Sequence, residues 1–364
     1  MVEKIISFSK AGTYFNTVIV DSSKSELLDK AEIVFNGENN ILYVEDGVKL
    51  KNSKILFNGN NSIVYLSKSK YTYYTKITLY SDSIVYFGKD CSFNTKGISL
   101  LASEHQNILI GNNGLFSFGI NFRTADAHLV YDCKTKLRLN QSKSILIGDR
   151  VWLGQNITIL KGTTIGSGSI IGLNSLISNK IVFSNTICAG NPVKLLKDNM
   201  FFSNKSVHKF TDKDINDYKS LNVDMWSYQF SKDSLSLKDI DKKIKHKKNS
   251  YDKLNVLKEY IIENYAKNRF YIGLENINPL KTDDNKTEAE IDKISREPKR
   301  SKESNDFAFN KNNVETFKEA VAPTLNISKR FVIDDSKDKQ LKVLEENLEN
   351  SNVELVKVSK DKLK

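Results

Sequence analysis

The stretch Ile147-Gly-Asp-Arg-Val-Trp-Leu153-Gly-Gln-Asn-Ile-Thr-Ile159-Leu-Lys-Gly-Thr-Thr-Ile165-Gly-Ser-Gly-Ser-Ile-Ile171-Gly-Leu-Asn-Ser-Leu-Ile177 places an aliphatic residue at every sixth position. A period of six suits neither a helix nor a two-faced strand, whose faces repeat at 3.6 and 2 residues. It fits a solenoid in which each short strand turns one aliphatic side chain inward and three sides close a coil of roughly 18 residues. Glycine follows the aliphatic at Gly148, Gly154, Gly166 and Gly172, where it is expected to give the corner backbone angles that a Cβ opposes. Thr163, Ser169 and Ser175 are small enough to sit beside the aliphatic in a narrow interior.

Upstream a looser repeat runs in the same sense. Ile33-Val-Phe-Asn-Gly, Ile55-Leu-Phe-Asn-Gly and Ile77-Thr-Leu-Tyr are each followed, within the same longer period, by Ile41-Leu-Tyr-Val, Ile63-Val-Tyr-Leu and Ile84-Val-Tyr-Phe. Ile108-Leu-Ile-Gly and Ile145-Leu-Ile-Gly continue the series. One mainly β parallel solenoid is therefore expected from about residue 30 to about residue 192, with Asn, Ser and Gly at its corners. We divide the chain into a β-helix domain (1–200), a helical extension (201–280), a polar linker (281–306) and a small α/β or partly disordered C-terminal segment (307–364). Helical spacing is visible at Thr211–Leu221, Leu237–Ile244 and Tyr251–Lys267, the last running into Arg269-Phe-Tyr-Ile. The basic cluster Lys242, Lys243, Lys245, His246, Lys247, Lys248 reads as a solvated helix end.

The three cysteines, Cys91, Cys133 and Cys188, have no paired spacing, which suggests a reducing compartment. The chain shows no leader and no apolar run of membrane-spanning length, so a cytoplasmic location without membrane insertion is expected. The net charge of +11 comes without a nucleic-acid-binding motif; nucleic acid is not expected as a partner, and an anionic glycan or the phosphates of a cofactor account for the charge.

Between Ile120 and Ser144 the hexad phase is lost in a polar insertion, Asn121-Phe-Arg-Thr-Ala-Asp126-Ala-His128-Leu-Val-Tyr-Asp132-Cys133 and onward to Gln141. A loop thrown out of a rigid stack is where a solenoid carries its function. His128 is the side chain suited to take a proton near neutral pH, and a nearby carboxylate, Asp126 before it or Asp132 after it, or a carbonyl is able to fix its tautomer.

This loop, the segment Val151-Trp152-Leu-Gly and the closing Ala189-Gly-Asn191-Pro192-Val-Lys194 together resemble the hexapeptide-repeat acetyltransferases, over about residues 80 to 200. Within them the chain looks most like the O-acetyltransferases of bacterial capsules and lipooligosaccharides, including those acting on sialic acid polymers. The resemblance implies a left-handed parallel β-helix with a protruding loop and a helical or α+β extension. It also implies acetyl-CoA as co-substrate, no metal, a surface-glycan acceptor and a homotrimer with sites between subunits. It makes His128 the general base, and Trp152 and Asp126 parts of the catalytic site, with Ala127 where the family has glycine. Pantetheine and its phosphates are expected along Gly154, Gly172, Ser178, Lys180, Ala189, Asn191, Pro192, Lys194 and Lys197.

Other chemistries fit less well. A three-histidine zinc site needs more than the two solenoid histidines, His105 and His128. A nucleotidyltransferase needs a glycine-rich phosphate loop before Ile33. An acyl-cysteine route through Cys133 stays open. A non-catalytic scaffold or glycan-binding solenoid, with Tyr65, Tyr71, Tyr73, Tyr74, Tyr80 and Tyr86 stacking on sugars, is the second reading, although the same tyrosines are better suited to packing between coils or capping the open end.

Overall fold

Stacked aliphatic side chains hold the chain in a three-sided parallel β-solenoid in the computed structural model, which describes residues 6–8, 16–20, 28–223, 226–273 and 354–355. Among these residues, face one has eight parallel strands, from Ile6–Phe8 through Asn121–Arg123 to Leu176–Ile177. Face two has eight parallel strands from Thr17–Val20 through Ile145–Ile147 to Ile181–Val182, with Glu354–Leu355 added antiparallel at one end. Face three runs from Ser92–Phe93 through Trp152–Leu153 to Ile187–Ala189 and ends in the antiparallel strand Lys194–Lys197. The linker and most of the C-terminal segment expected at 281–306 and 307–364 lie outside the described residues.

The hexad reading holds position by position. Ile147 stacks on Ile165, Leu153 on Ile171 and Ile159 on Ile177, each pair three hexads apart and each side chain at most 1% exposed. The earlier coils are longer, with Ile33 on Ile55 and Ile55 on Ile77. Thr163, Ser169 and Ser175 are buried as expected, and Ser169 and Ser175 donate their hydroxyl protons to the carbonyls of Gly166 and Gly172.

The glycines act differently from the expectation. None of Gly148, Gly154, Gly166 and Gly172 has a positive φ; asparagines such as Asn156, Asn174 and Asn185 take the left-handed corners instead. What a Cβ would meet is the next coil: at Gly148 it would lie 2.7 Å from the Ser167 nitrogen, and at Gly172 2.7 Å from the Ala189 Cβ. Close approach between coils therefore selects glycine here, rather than backbone freedom.

The later part of the helical extension, from Leu235 to Phe270, folds back as an arm on the outside of face two. Helix α1 spans Asp212–Asp217, α2 Leu237–Lys245 and α3 Ser250–Leu257, and α3 runs into a π-helical turn at Lys258–Ile262, so the third helix stops short of Lys267. Leu237, Ile240, Ile244, Leu254, Leu257, Ile261 and Phe270 cover the outward side chains Ile41, Tyr43, Ile63, Tyr65, Ile84, Tyr86, Leu109 and Leu146. Face-two strands are consequently buried on both sides, which explains their unbroken apolar sequences. Tyr65 and Tyr86 are sealed under this arm and Tyr73 lies in the solenoid interior, so these three are not available to stack on sugars.

Buried polar ties help to fix the arm. Arg269, 2% exposed, donates from Nε and Nη2 to the two carboxylate oxygens of Asp149 at 2.8 Å each. Lys253 reaches Asp82 at 2.7 Å, and Asp241 accepts from Asn107 at 2.7 Å and Ser144 at 2.8 Å. Lys242, Lys243, Lys247 and Lys248 are exposed at the C-terminal end of α2 and beyond it, the solvated helix end expected.

Two substitutions probe this packing. Ile165→Asp places a charge in a dry stack and should abolish soluble, folded protein, read as loss of expression in the soluble fraction. Arg269→Ala leaves the Asp149 carboxylate buried without its cation and should cost about 3–5 kcal/mol in urea unfolding.

Candidate active site

The insertion begins later than the loss of aliphatic phase suggests. Ile110, Phe116 and Phe122 remain in register and stack on Ile147, Leu153 and Ile159. That step is 37 positions, against 18 between successive coils of the regular part, so one coil is accompanied by an excursion of similar length. The excursion leaves the corner between faces one and two, after Asn121–Arg123, and returns before Ile145–Ile147. Its neck is closed by the Lys143 N–H donating to the Thr124 carbonyl. Its body is a small hairpin: the Leu139 N–H donates to the Val130 carbonyl and the Asp132 N–H to the Leu137 carbonyl, each at 2.9 Å. At the tip the Asp132 carboxylate accepts from the Lys134 and Thr135 amides. The hairpin exposes Leu129, Val130, Tyr131, Leu137 and Leu139, each at least half accessible.

His128 stands on this loop, exposed, and its imidazole makes no hydrogen bond or ion pair with any described residue of its own chain. The Asp126 carboxylate does not turn to the ring. It accepts from Lys161 Nζ and from Asn140 Nδ2, the latter at 3.0 Å, and these bonds, Lys161's first, hold it below the usual carboxylate range. Sequence reasoning missed Asn140 and Lys161. They lie 14 and 35 positions from Asp126, and only the fold brings the three together. The loop is also tied to the preceding coil through Glu104, which accepts from Arg138 and Ser142.

Trp152 is on a different side of the prism. Its side chain faces outward from face three, 38% exposed, between Leu115 and Ile170 on the neighbouring coils. One side of the indole packs on Phe202, with ring centroids 5.6 Å apart. Arg150 fixes that phenylalanine: its Nη2 donates to the Phe202 carbonyl at 2.7 Å and its guanidinium lies against the Phe202 and Trp226 rings, at 4.7 and 4.3 Å.

The expected cofactor residues divide between the same two places. Gly154, Gly172 and Ala189 lie on successive coils of face three and form one row along the corner between faces three and one. Asn191 and Pro192, joined by a cis peptide bond, continue from that row, and Lys194 and Lys197 are exposed on the last strand. Ser178 and Lys180 lie instead at the corner of the His128 loop, beside Asn179, which accepts from Lys143 at 2.9 Å. One chain thus carries His128, Asp126, Ser178 and Lys180 on the edge opposite the face that carries Trp152.

The cysteines differ in burial. Burial pushes the Cys91 thiol up to about 12 and raises that of Cys188 as well, which disfavours the thiolate. Cys133 is exposed near the hairpin tip with no hydrogen bond to the His128 ring. No helix among the described residues is long and apolar enough to cross a membrane.

No protein-family model matches the chain. A polysialic acid O-acetyltransferase of Neisseria meningitidis is 33% identical over 201 residues, 55% of this chain and 93% of the relative. A polysialic acid O-acetyltransferase of Escherichia coli O1:K1 is 37% identical over 103 residues, 28% of this chain and 33% of that relative. Among solved structures, the polySia-specific acetyltransferase NeuO matches 58% of this chain and 97% of its own, with a TM-score of 0.50 at 28% identity. By its hexad solenoid and its likeness to nearly the whole of the Neisseria enzyme, the chain belongs to the hexapeptide-repeat acetyltransferases that include the polysialic acid O-acetyltransferases.

Proposed function

We propose that the protein moves the acetyl group of acetyl-CoA to a hydroxyl of an anionic capsular glycan, a sialic acid polymer being the first candidate, with His128 as general base. The observation that carries this reading is an imidazole presented on a pinned loop and committed to nothing among the described residues of its own chain. Neutral His128 takes the hydroxyl proton as the oxygen attacks the thioester carbonyl. The new C–O bond forms, the C–S bond breaks, and the CoA thiolate leaves with the proton returned by the imidazolium. General-base help of this kind is worth about 100- to 10,000-fold. The Trp152 indole N–H is a donor for the oxyanion or the thioester, a class of contact worth about 100- to 1,000-fold.

The residues fit acetyl-CoA. The row Gly154, Gly172, Ala189 has little side chain to obstruct a pantetheine chain, and Lys180, Lys194 and Lys197 are exposed cations for its phosphates. A net charge of +11 favours encounter with a polyanionic acceptor. The compartment that fits acetyl-CoA supply is the cytoplasm.

The same reading makes the protein a homotrimer. Leu129, Val130, Tyr131, Leu137 and Leu139 form an exposed apolar group on a loop, and such a patch marks an interface. Face two is already covered by the arm, and in this reading the loop of one subunit meets face three of the next, where Trp152 stands half-exposed. Each site then takes His128 from one chain and Trp152 from its neighbour, a head-to-tail contact that closes as a ring of three when each step rotates by a third of a turn.

His128→Ala should retain its melting temperature and lose at least about 100-fold in acetyl transfer, measured with labelled acetyl-CoA and polysialic acid. Full activity in that variant would remove the assignment. Coexpressing His128→Ala with Trp152→Ala, each inactive alone, should restore about one quarter of wild-type activity by random assembly of shared sites. No recovery in mixed trimers would place both groups in one subunit's site.

A further inference from the structure

Asp126, Asn140 and Lys161 form a polar clamp at the base of the His128 loop, and its geometry differs from that of an acid–imidazole dyad. Asn140 holds the backbone around the histidine: Nδ2 donates to the His128 carbonyl at 2.7 Å and to the Asp126 carboxylate at 3.0 Å, while Oδ1 accepts from the Val130 N–H at 2.9 Å. Lys161 belongs to the solenoid, at the corner after Thr158–Leu160, and is mostly buried there. Its ammonium donates to the Asp126 carboxylate and, at 3.2 Å, to the Asn140 carbonyl. Positions 126, 128, 130 and 140 of the loop are thereby referred to one cation on the rigid stack.

We propose that Asp126, Asn140 and Lys161 are positioning residues that act on His128 through the loop backbone, and that Asp126 does not orient the imidazole directly. This rests on the reading of His128 as the base. A carboxylate engaged by a lysine and an amide is poorly placed to serve a ring nitrogen as well. A clamp of this kind matters because displacing a catalytic group by about 1 Å costs on the order of 100-fold in rate.

The test uses the full-length enzyme with Asp126→Asn, Asn140→Ala, Lys161→Met and Lys161→Arg, and with His128→Ala beside them. Each of the first three should lower kcat by about 10- to 100-fold, with the KM for acetyl-CoA unchanged within about twofold and the melting temperature retained. Lys161→Arg, which keeps the cation, should recover most of the activity. Asp126→Asn added to Lys161→Met should cause no further loss, because the two disable one device. The acid limb of the kcat/KM profile should stay in place in Asp126→Asn. A shift of about one unit or more in that limb, or fully additive losses in the double variant, would overturn the proposal in favour of a direct dyad. An active His128→Ala protein would instead remove the base, a failure of the functional reading distinguishable from failure of the clamp.

Discussion

Every inward side chain of the solenoid must sit on the one a coil earlier, and the rest of the structure follows from that demand. In the regular part the demand is met every third hexad, by Ile147 on Ile165 and Ile159 on Ile177. An interior packed this closely cannot absorb extra residues, because a shift of one position would turn an aliphatic side chain outward and a polar one in. The additional residues after Arg123 therefore leave at a corner and return in phase, as Ile110 on Ile147 records. The loop stands out from the prism because the stack on either side of it cannot change.

The rigid stack also decides what each face can do. The arm occupies face two through apolar contact and the Arg269–Asp149 pair, whose neighbour in sequence, Arg150, braces Phe202 against Trp152. Structural and candidate functional residues are thus consecutive along the turn Asp149-Arg150-Val151-Trp152. The left-handed backbone of Arg150, at φ 53°, sends adjacent side chains in different directions: Asp149 towards Arg269 of the arm and Arg150 towards Phe202 and Trp226.

What the sequence makes legible is what repeats locally. The hexads predict the register because each aliphatic reports on a neighbour at a fixed distance. Phe116 and Phe122 conceal the last two in-phase positions because an aromatic ring fills a place where an aliphatic is sought. Helical spacing reveals α2 and α3 but not their destination, since Lys253 and Asp82 are 171 residues apart and Arg269 and Asp149 120 apart. Asp126 is legible as a member of the loop, whereas its partners are not: Asn140 and Lys161 are ordinary polar residues until the excursion closes and brings its two ends over one corner. The tyrosine pattern on face two is compatible with packing or with sugar stacking, and the covering arm decides for packing.

His128 and Trp152 are held apart by the same anchors that order the loop. Tied to Glu104 on one side and Lys161 on the other, the excursion is fixed to its own corner and cannot swing round to the opposite face without breaking those contacts. If both groups act in one reaction, assembly completes the site, and the apolar hairpin that is costly to expose in one chain becomes the contact that aligns the imidazole with a neighbouring indole. Packing and catalysis would then draw on the same loop: its apolar hairpin strands would supply the binding energy for the neighbour, and its polar base preserves the geometry in which that contact is useful.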